Sequence, residues 1–374
     1  MNILVICREI PPVGGGAGHV AINLAQTLEK QGDGEFHIIT MAYGSLPEYE
    51  KRDNIHIYRV NCLRRYQDSS YLFEMGLFLL RAVPLGRKLL VEKGISLIHA
   101  HAIIPDGLIG LLISKSRVPV VVTAHGSDVP GYNPDKFQIA HKGLAPLWHW
   151  ILKKVDKVVT PSNHLAGLIR KKRAGQEVSV IPNGIEVGIF SEESLGDKKD
   201  EFLIVSRLVK RKNYHLFLSA LRDIPEPQTV HIVGEGPELE RLKNLAKELE
   251  QHNVIFHGWL KNGSLEWKEL YQRSSYFVFP SESENFPINL LEAMLAEMVI
   301  LASDIPGNRE VVGDNGIFFK GLTVERVREE VRQIIEASPE ILVKMGGEGR
   351  ILVKSKFSWL EIGRSYLALY QKLR

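Results

Sequence analysis

Cysteine is almost missing: Cys7 and Cys62 are the only two in 374 residues. Two thiols cannot build a disulfide framework, and so low a count predicts a reducing, cytoplasmic setting. Long apolar runs are missing too, since no stretch approaches the ~18 residues a membrane-spanning helix needs. The opening Met1-Asn2-Ile3-Leu4-Val5-Ile6 has no basic leader and no extended apolar core, so it reads as a first β-strand rather than a secretory signal. Charge of one sign is scarce. A net charge of +3 falls far short of the basic excess of a nucleic-acid binder. What excess exists sits in residues 1–190, with the rest mildly acidic. That asymmetry fits an anionic partner such as a phospholipid-linked acceptor, and weak contact with the inner face of a membrane. Metal-ligand spacing is also absent: His99 and His101 bracket one alanine, but no Cys or acidic residue stands at ligand distance from them.

Ample apolar material is present, 44% of the chain against 24% charged, enough for two separate cores in a chain of this length. Short apolar runs at 2–7, 36–40, 55–60, 96–100, 118–123, 156–160 and 178–182 alternate with helix-period stretches. A second series follows at 201–206, 229–233, 253–257, 275–279, 298–302 and 316–319. Strands alternating with helices predict parallel sheets covered on both faces, hence an α/β chain with two Rossmann-like domains. The polar, Gly-containing Glu186–Asp200 stretch reads as the linker, giving domains 1–186 and 187–356. Ligands of such sheets sit beyond the C-terminal strand ends, which is where the chemistry is to be sought.

Four segments stand there. In Pro280-Ser281-Glu282-Ser283-Glu284-Asn285-Phe286-Pro287, Pro287 suits the first turn of a helix. In that helix Ile288, Leu291, Glu292 and Leu295 share one stripe. A carboxylate on an apolar stripe needs a partner: either a structural Lys or Arg, or a pair of ligand hydroxyls such as a ribose diol. Arg207 closes a strand, and Lys212 precedes a helix that Asn213 is placed to cap. Two such cations can neutralise a departing diphosphate, whereas Lys210 and Arg211 read as a solvated turn. The turn Pro11–Gly18 brings Gly15 and Gly16 where backbone can approach a phosphate or sugar. Its fit to a dinucleotide fingerprint is undercut by the second strand, which closes as Ile38-Ile39-Thr40-Met41 without an acidic residue. His125, before Gly126, is set to meet a sugar hydroxyl or to serve packing. Gly234-Glu235-Gly236 and His257-Gly258-Trp259 place glycine after strands, for ligand contact or a tight turn. Tyr71–Lys88, apolar with basic punctuation, reads as a domain helix with one buried face in preference to a membrane-surface helix.

Taken in this order, from Gly14 through His125, Asn183-Gly184, Arg207/Lys212, Gly234-Glu235-Gly236 and Glu284/Glu292 to Gly307-Asn308-Arg309-Glu310, the chain resembles the retaining glycosyltransferases of family 4. The resemblance implies the GT-B fold, two Rossmann-like domains facing across a cleft, with residues 357–374 forming a helix that returns to the first domain. It implies that Glu292 holds the nucleotide ribose and that Glu284, with the backbone at Asn285 and Phe286, holds the donor sugar. Arg207 and Lys212 then match the diphosphate pair, and His125 a donor-sugar contact. Gly15 and Gly16 match the loop near phosphate and acceptor, while the base meets the chain near His257 to Leu260. One departure is Asn285-Phe286-Pro287, where many members carry a glycine after the first glutamate. The expected activity is metal-independent transfer, without cofactor, of a sugar from a nucleotide-diphosphate donor to a glycan, lipid-linked or small-molecule acceptor, with retention. The rival readings are a nucleotide-sugar epimerase on a similar fold and a catalytically dead nucleotide-sugar binding protein.

Overall fold

The computed structural model describes residues 1–67, 70–132, 138–191 and 198–373. The chain divides into two compact units, Met1–Gly184 with Trp359–Arg374, and Ile185–Ser358.

Unit 1 opens with β1 (Asn2–Ile6), α1 (Gly16–Lys30), β2 (Glu35–Met41), β3 (Tyr49–Arg52) and β4 (Ile55–Val60). It continues with α2 (Leu72–Glu92), β5 (Leu97–Ala100), α3 (Leu108–Ser114) and β6 (Val120–Thr123). Then come α4 (Gln138–Lys154), β7 (Lys157–Thr160), α5 (Asn163–Lys172) and β8 (Val178–Val180). Its sheet runs β3-β4-β2-β1-β5-β6-β7-β8, parallel except for β3. Strands such as β5 and β6 are buried along their length because helices cover both faces. The strand β3, absent from the sequence expectation, is the charged edge Tyr49-Glu50-Lys51-Arg52, a composition that discourages a further strand from pairing there.

Unit 2 runs β9 (Lys199–Val205), α6 (Tyr214–Leu221), β10 (Thr229–Val233), α7 (Leu239–Lys247), β11 (Asn253–Gly258) and α8 (Leu265–Arg273). It goes on through β12 (Ser274–Phe279), α9 (Ile288–Leu295), β13 (Val299–Ser303), α10 (Pro306–Val312), β14 (Gly316–Phe319), α11 (Val324–Ile335) and α12 (Pro339–Lys356). Its sheet is all parallel, ordered β11-β10-β9-β12-β13-β14. The last helix, α13 (Trp359–Lys372), belongs to unit 1, where Trp359, Ile362, Tyr366 and Tyr370 complete the core under α1.

Two expectations about the boundary change. Residues 192–197 of the proposed linker lie outside the described residues. Phe190, within the proposed linker, is core of unit 2 together with Ile185, and its ring is stacked 5.6 Å from Trp267. Phe357 and Ser358 also stay with unit 2, because Phe357 is buried there and its carbonyl accepts the Ile185 N–H at 2.8 Å. The Tyr71–Lys88 stretch is α2, with Phe78, Ala82, Val83 and Gly86 buried and Leu72, Phe73 and Leu80 exposed. Among the described residues no helix is long and apolar enough to cross a membrane.

Candidate active site

Each sheet reverses its strand order once, and the open crevice at such a point is where α/β sheets take ligands. In unit 2 the reversal lies between β9 and β12. The two segments leaving these strands carry Arg207 and Lys212 on one side and Glu284 on the other.

After β9 the chain makes one tight turn, Lys210–Lys212, that turns Lys212 inward. Its Nζ donates to Glu284 Oε1 at 2.7 Å and lies 4.2 Å from the centre of the Phe279 ring. Burial lowers the Lys212 pKa, and the Glu284 charge opposes that shift. Ser281 Oγ donates to the same Oε1 at 2.6 Å. Asn213 does not cap α6 as the sequence suggests. It sits in the left-handed region (φ 54°) and spends its amide on Pro280 O at 3.3 Å and Glu282 Oε1 at 3.1 Å. Those bonds tie the β9 exit to the β12 exit. Arg207 is exposed rather than locked behind its strand, so its guanidinium faces solvent while Lys212 is held.

Glu292 occupies the apolar stripe of α9 and is buried. Its partner is neither Lys nor Arg: Tyr271 Oη donates to Oε2 at 3.0 Å. One phenol is too little for a carboxylate in this setting, and burial raises the Glu292 pKa to about 7 against the Tyr271 bond. The first turn of α9 has no side-chain cap, and although Leu290 N–H is bonded to Pro287 O at 3.3 Å, the helix start suits an anion. Phe286 packs its ring edge-on against Phe357, and Asn285 is buried.

Three glycines of this unit, Gly234, Gly236 and Gly307, are required by close backbone approach. A Cβ at Gly234 would strike the Ser206 carbonyl, and one at Gly236 the Leu208 carbonyl, both at positive φ. Glu235, between them, is exposed, and its carbonyl accepts from Leu208 N at 2.8 Å. His257 Nε2 is 3.0 Å from His231 Nδ1, and Trp259 is exposed. A Cβ at Gly307 would meet the carbonyls of Glu284 and Asn285. Gly307→Ala is therefore expected to shift the Glu284 loop and lower kcat/KM about tenfold or more, at a cost of ~1–3 kcal/mol in stability. Gly347→Ala, whose Cβ meets open space, is the control, and a steady-state assay with thermal melts separates the two.

In unit 1 the reversal lies between β1 and β5. Gly15 precedes α1 with no side-chain cap, and a Cβ at Gly15 or Gly16 meets nothing within 4 Å, leaving open approach to bare helix-start N–H groups. A Cβ at Gly18 would strike the Glu9 carbonyl, which fixes how closely α1 packs on the β1 exit. After β6, Asp128 braces the turn: Oδ1 accepts His125 N at 3.1 Å and Gly126 N at 3.0 Å, and Oδ2 accepts Ile103 N at 2.9 Å. His125 and His101 share a hydrogen bond at 3.2 Å between Nε2 and Nδ1. Burial lowers the His125 pKa to about 4 and takes His101 well down, so both are neutral imidazoles. His99 is packing, bonded to Thr123 Oγ1 and Tyr370 Oη, each at 2.7 Å.

The sequence reading did not single out Arg8 and Asp106. Arg8 Nη1 donates to the fully buried Asp106 Oδ2 at 3.3 Å, while Arg8 Nε and Asp106 Oδ1 have no partner. Burial raises the Asp106 pKa to about 7. Arg8, with Glu9, His101, His125 and Asp128, lines one small cavity. No sequence spacing links positions 8 and 106; the β1–β5 pairing does.

Two family profiles match the chain: Glycosyltransferase Family 4 over residues 14–188, and Glycosyl transferases group 1 over residues 189–350. An uncharacterised glycosyltransferase of Methanocaldococcus jannaschii is 26% identical over 376 residues, covering 100% of this chain and 99% of the relative. Among solved structures, a sucrose-phosphate synthase from Thermosynechococcus elongatus superposes with a TM-score of 0.82 at 21% identity, covering 100% of this chain and 98% of that one. An Anabaena protein in complex with UDP-glucose gives 0.76 at 18% identity, with 100% of both chains covered.

Proposed function

Because the chain belongs to the family 4 glycosyltransferases of GT-B fold, we propose that it moves a hexose from a nucleotide diphosphate to an acceptor hydroxyl, with retention of anomeric configuration and with no metal in the reaction. The observation that carries the reading is the Lys212–Glu284–Ser281 cluster at the β9/β12 crevice, with the under-satisfied Glu292 on the adjoining helix.

The chemistry follows from charge. As the anomeric carbon–oxygen bond breaks, negative charge grows on the departing diphosphate while the sugar becomes oxocarbenium-like. Lys212, the exposed fork of Arg207 and the uncapped start of α9 suit that growing charge, a preorganised environment of the kind that accelerates such steps. Glu292 is suited to accept from both hydroxyls of a ribose, and Glu284, its Oε1 already held, to orient the sugar. His125 offers a neutral imidazole to a sugar hydroxyl. The acceptor hydroxyl attacks from the face the diphosphate leaves, and its proton goes to a donor phosphate oxygen. Bond made, bond broken and proton then balance without a protein base.

The complex of the Anabaena protein with UDP-glucose supports a uridine donor and glucose as the first pair to assay. The mildly basic unit 1 supports an anionic acceptor, of lipid-linked or glycan type, at the inner membrane face of a cytoplasmic enzyme. No finding favours the epimerase or the dead binding protein. The deciding experiment is anomeric NMR of the product formed from UDP-glucose in the presence of EDTA. An α-linked product supports the reading; a β-linked product removes retention, and loss of turnover in EDTA removes metal independence. Conversion of donor without any acceptor into an epimer would favour the rival enzyme.

A further inference from the structure

We propose that unit 1 carries a zinc site made by Glu35, His37 and His56, at the opposite end of its sheet from the β1 and β5 exits. The three meet through strand register. β2 and β4 pair in parallel with His37 directly beside His56, and Glu35, two residues before His37, falls on the same face. Glu35 Oε1 lies 3.3 Å from His37 Nε2 and 2.9 Å from His56 Nε2, and all three ligand atoms are within 4.8 Å of one another. A tetrahedral zinc with bonds of about 2.0–2.1 Å sets its ligand atoms roughly 3.3 Å apart, so small side-chain movements suffice.

Two independent features point to a ligand. The first is the buried His37, whose Nε2 has no hydrogen-bond partner and faces the other two residues. The second is an outer shell: Tyr58 Oη lies 3.3 Å from His37 Nδ1 and Tyr49 Oη 2.7 Å from His56 Nδ1. With each Nδ1–H donated to a phenol oxygen, each Nε2 presents its lone pair inward, the arrangement that metal-bound imidazoles adopt. Lys51 and Lys93 add positive charge nearby, which Glu35 offsets. Glu35 is 36% exposed on its side chain, which leaves the fourth position to water. Two imidazoles and one carboxylate favour zinc over magnesium. The residues stand at the starts of β2 and β4, away from the strand ends where sugar transfer is placed, so the site is structural and independent of that reading.

The test uses the untagged full chain, stripped with EDTA and dialysed, then titrated calorimetrically with ZnCl2 and separately with MgCl2. The expected result is one saturable zinc equivalent, a higher melting temperature with zinc, and no response to magnesium. Glu35→Gln and His56→Gln should each weaken zinc about tenfold or more, and Tyr49→Phe by less, while their metal-free melting curves stay cooperative. These replacements avoid His37, whose complete burial would confound folding with binding. Zinc that fails to saturate near one equivalent, or that binds Glu35→Gln and His56→Gln as well as the unaltered chain, overturns the site.

Discussion

Glu292→Gln is expected to make the protein more stable at pH 8 and, at the same time, about a hundredfold poorer in kcat/KM. The stability half follows from linkage. The folded-state pKa of Glu292 is raised from 4.5 to about 7, chiefly by burial. Between those values the folded state holds a proton that the unfolded state has released, so stability falls as pH rises through this window. Above it the full cost of the buried charge is in place, about 3 kcal/mol by the usual conversion. Glutamine removes the charge and still accepts the Tyr271 hydroxyl. The gain should therefore be near zero at pH 4.5 and complete by pH 8, as read by urea unfolding at the two values. The activity half follows from the diol. A carboxylate accepting two ligand hydroxyls makes charge-assisted bonds that an amide cannot reproduce, worth ~3 kcal/mol together. Donor binding draws on the ionised form, so the donor KM of the unaltered enzyme should fall as pH rises from 6 to 8, and that of Glu292→Gln should not. Unchanged donor kinetics would leave Glu292 a packing residue.

Lys212→Ala is expected to reduce kcat by about a thousandfold, the scale on which loss of one preorganised charge acts. It should also destabilise, because Glu284 would remain mostly buried with only Ser281 and no cation, a cost of about 3 kcal/mol. The double variant Lys212→Ala/Glu284→Ala separates the two effects. Stability should largely return once neither charge is stranded, while activity stays at or below that of the single variant. If the double variant recovered activity along with stability, the pair would be a fold-holding ion pair and nothing more.

What could be read in the chain without its structure follows from locality. The parallel strands were visible because burial on both faces makes them unbroken apolar runs, whereas β3 was not, being four charged or polar residues whose only role is to edge β4. Glu292 was legible because helical periodicity alone puts it on an apolar stripe. Its partner was not, because Tyr271 comes from α8, and nothing in the spacing says which helix faces α9. Asn213 was misread for a related reason: an Asn before a helix suggests a cap, but the pull of Pro280 and Glu282 from the neighbouring strand exit outweighs it. Arg8 with Asp106, and Glu35 and His37 with His56, depend on which strands are neighbours and in what register, and both are properties of the assembled sheet.

The return of α13 to unit 1 has a consequence for the order in which the molecule is made. All of Ile185–Ser358 is synthesised before Trp359, Ile362, Tyr366 and Tyr370, yet those side chains fill the core of the unit whose first strand is β1. The second unit, contiguous in the chain and with Ile185 bridged to Ser358 across its own ends, can close on itself as it emerges from the ribosome. The first must wait with an open apolar face along α1 until the later residues arrive. During that interval it is the earlier-made half of the protein, and not the later, that has need of a chaperone.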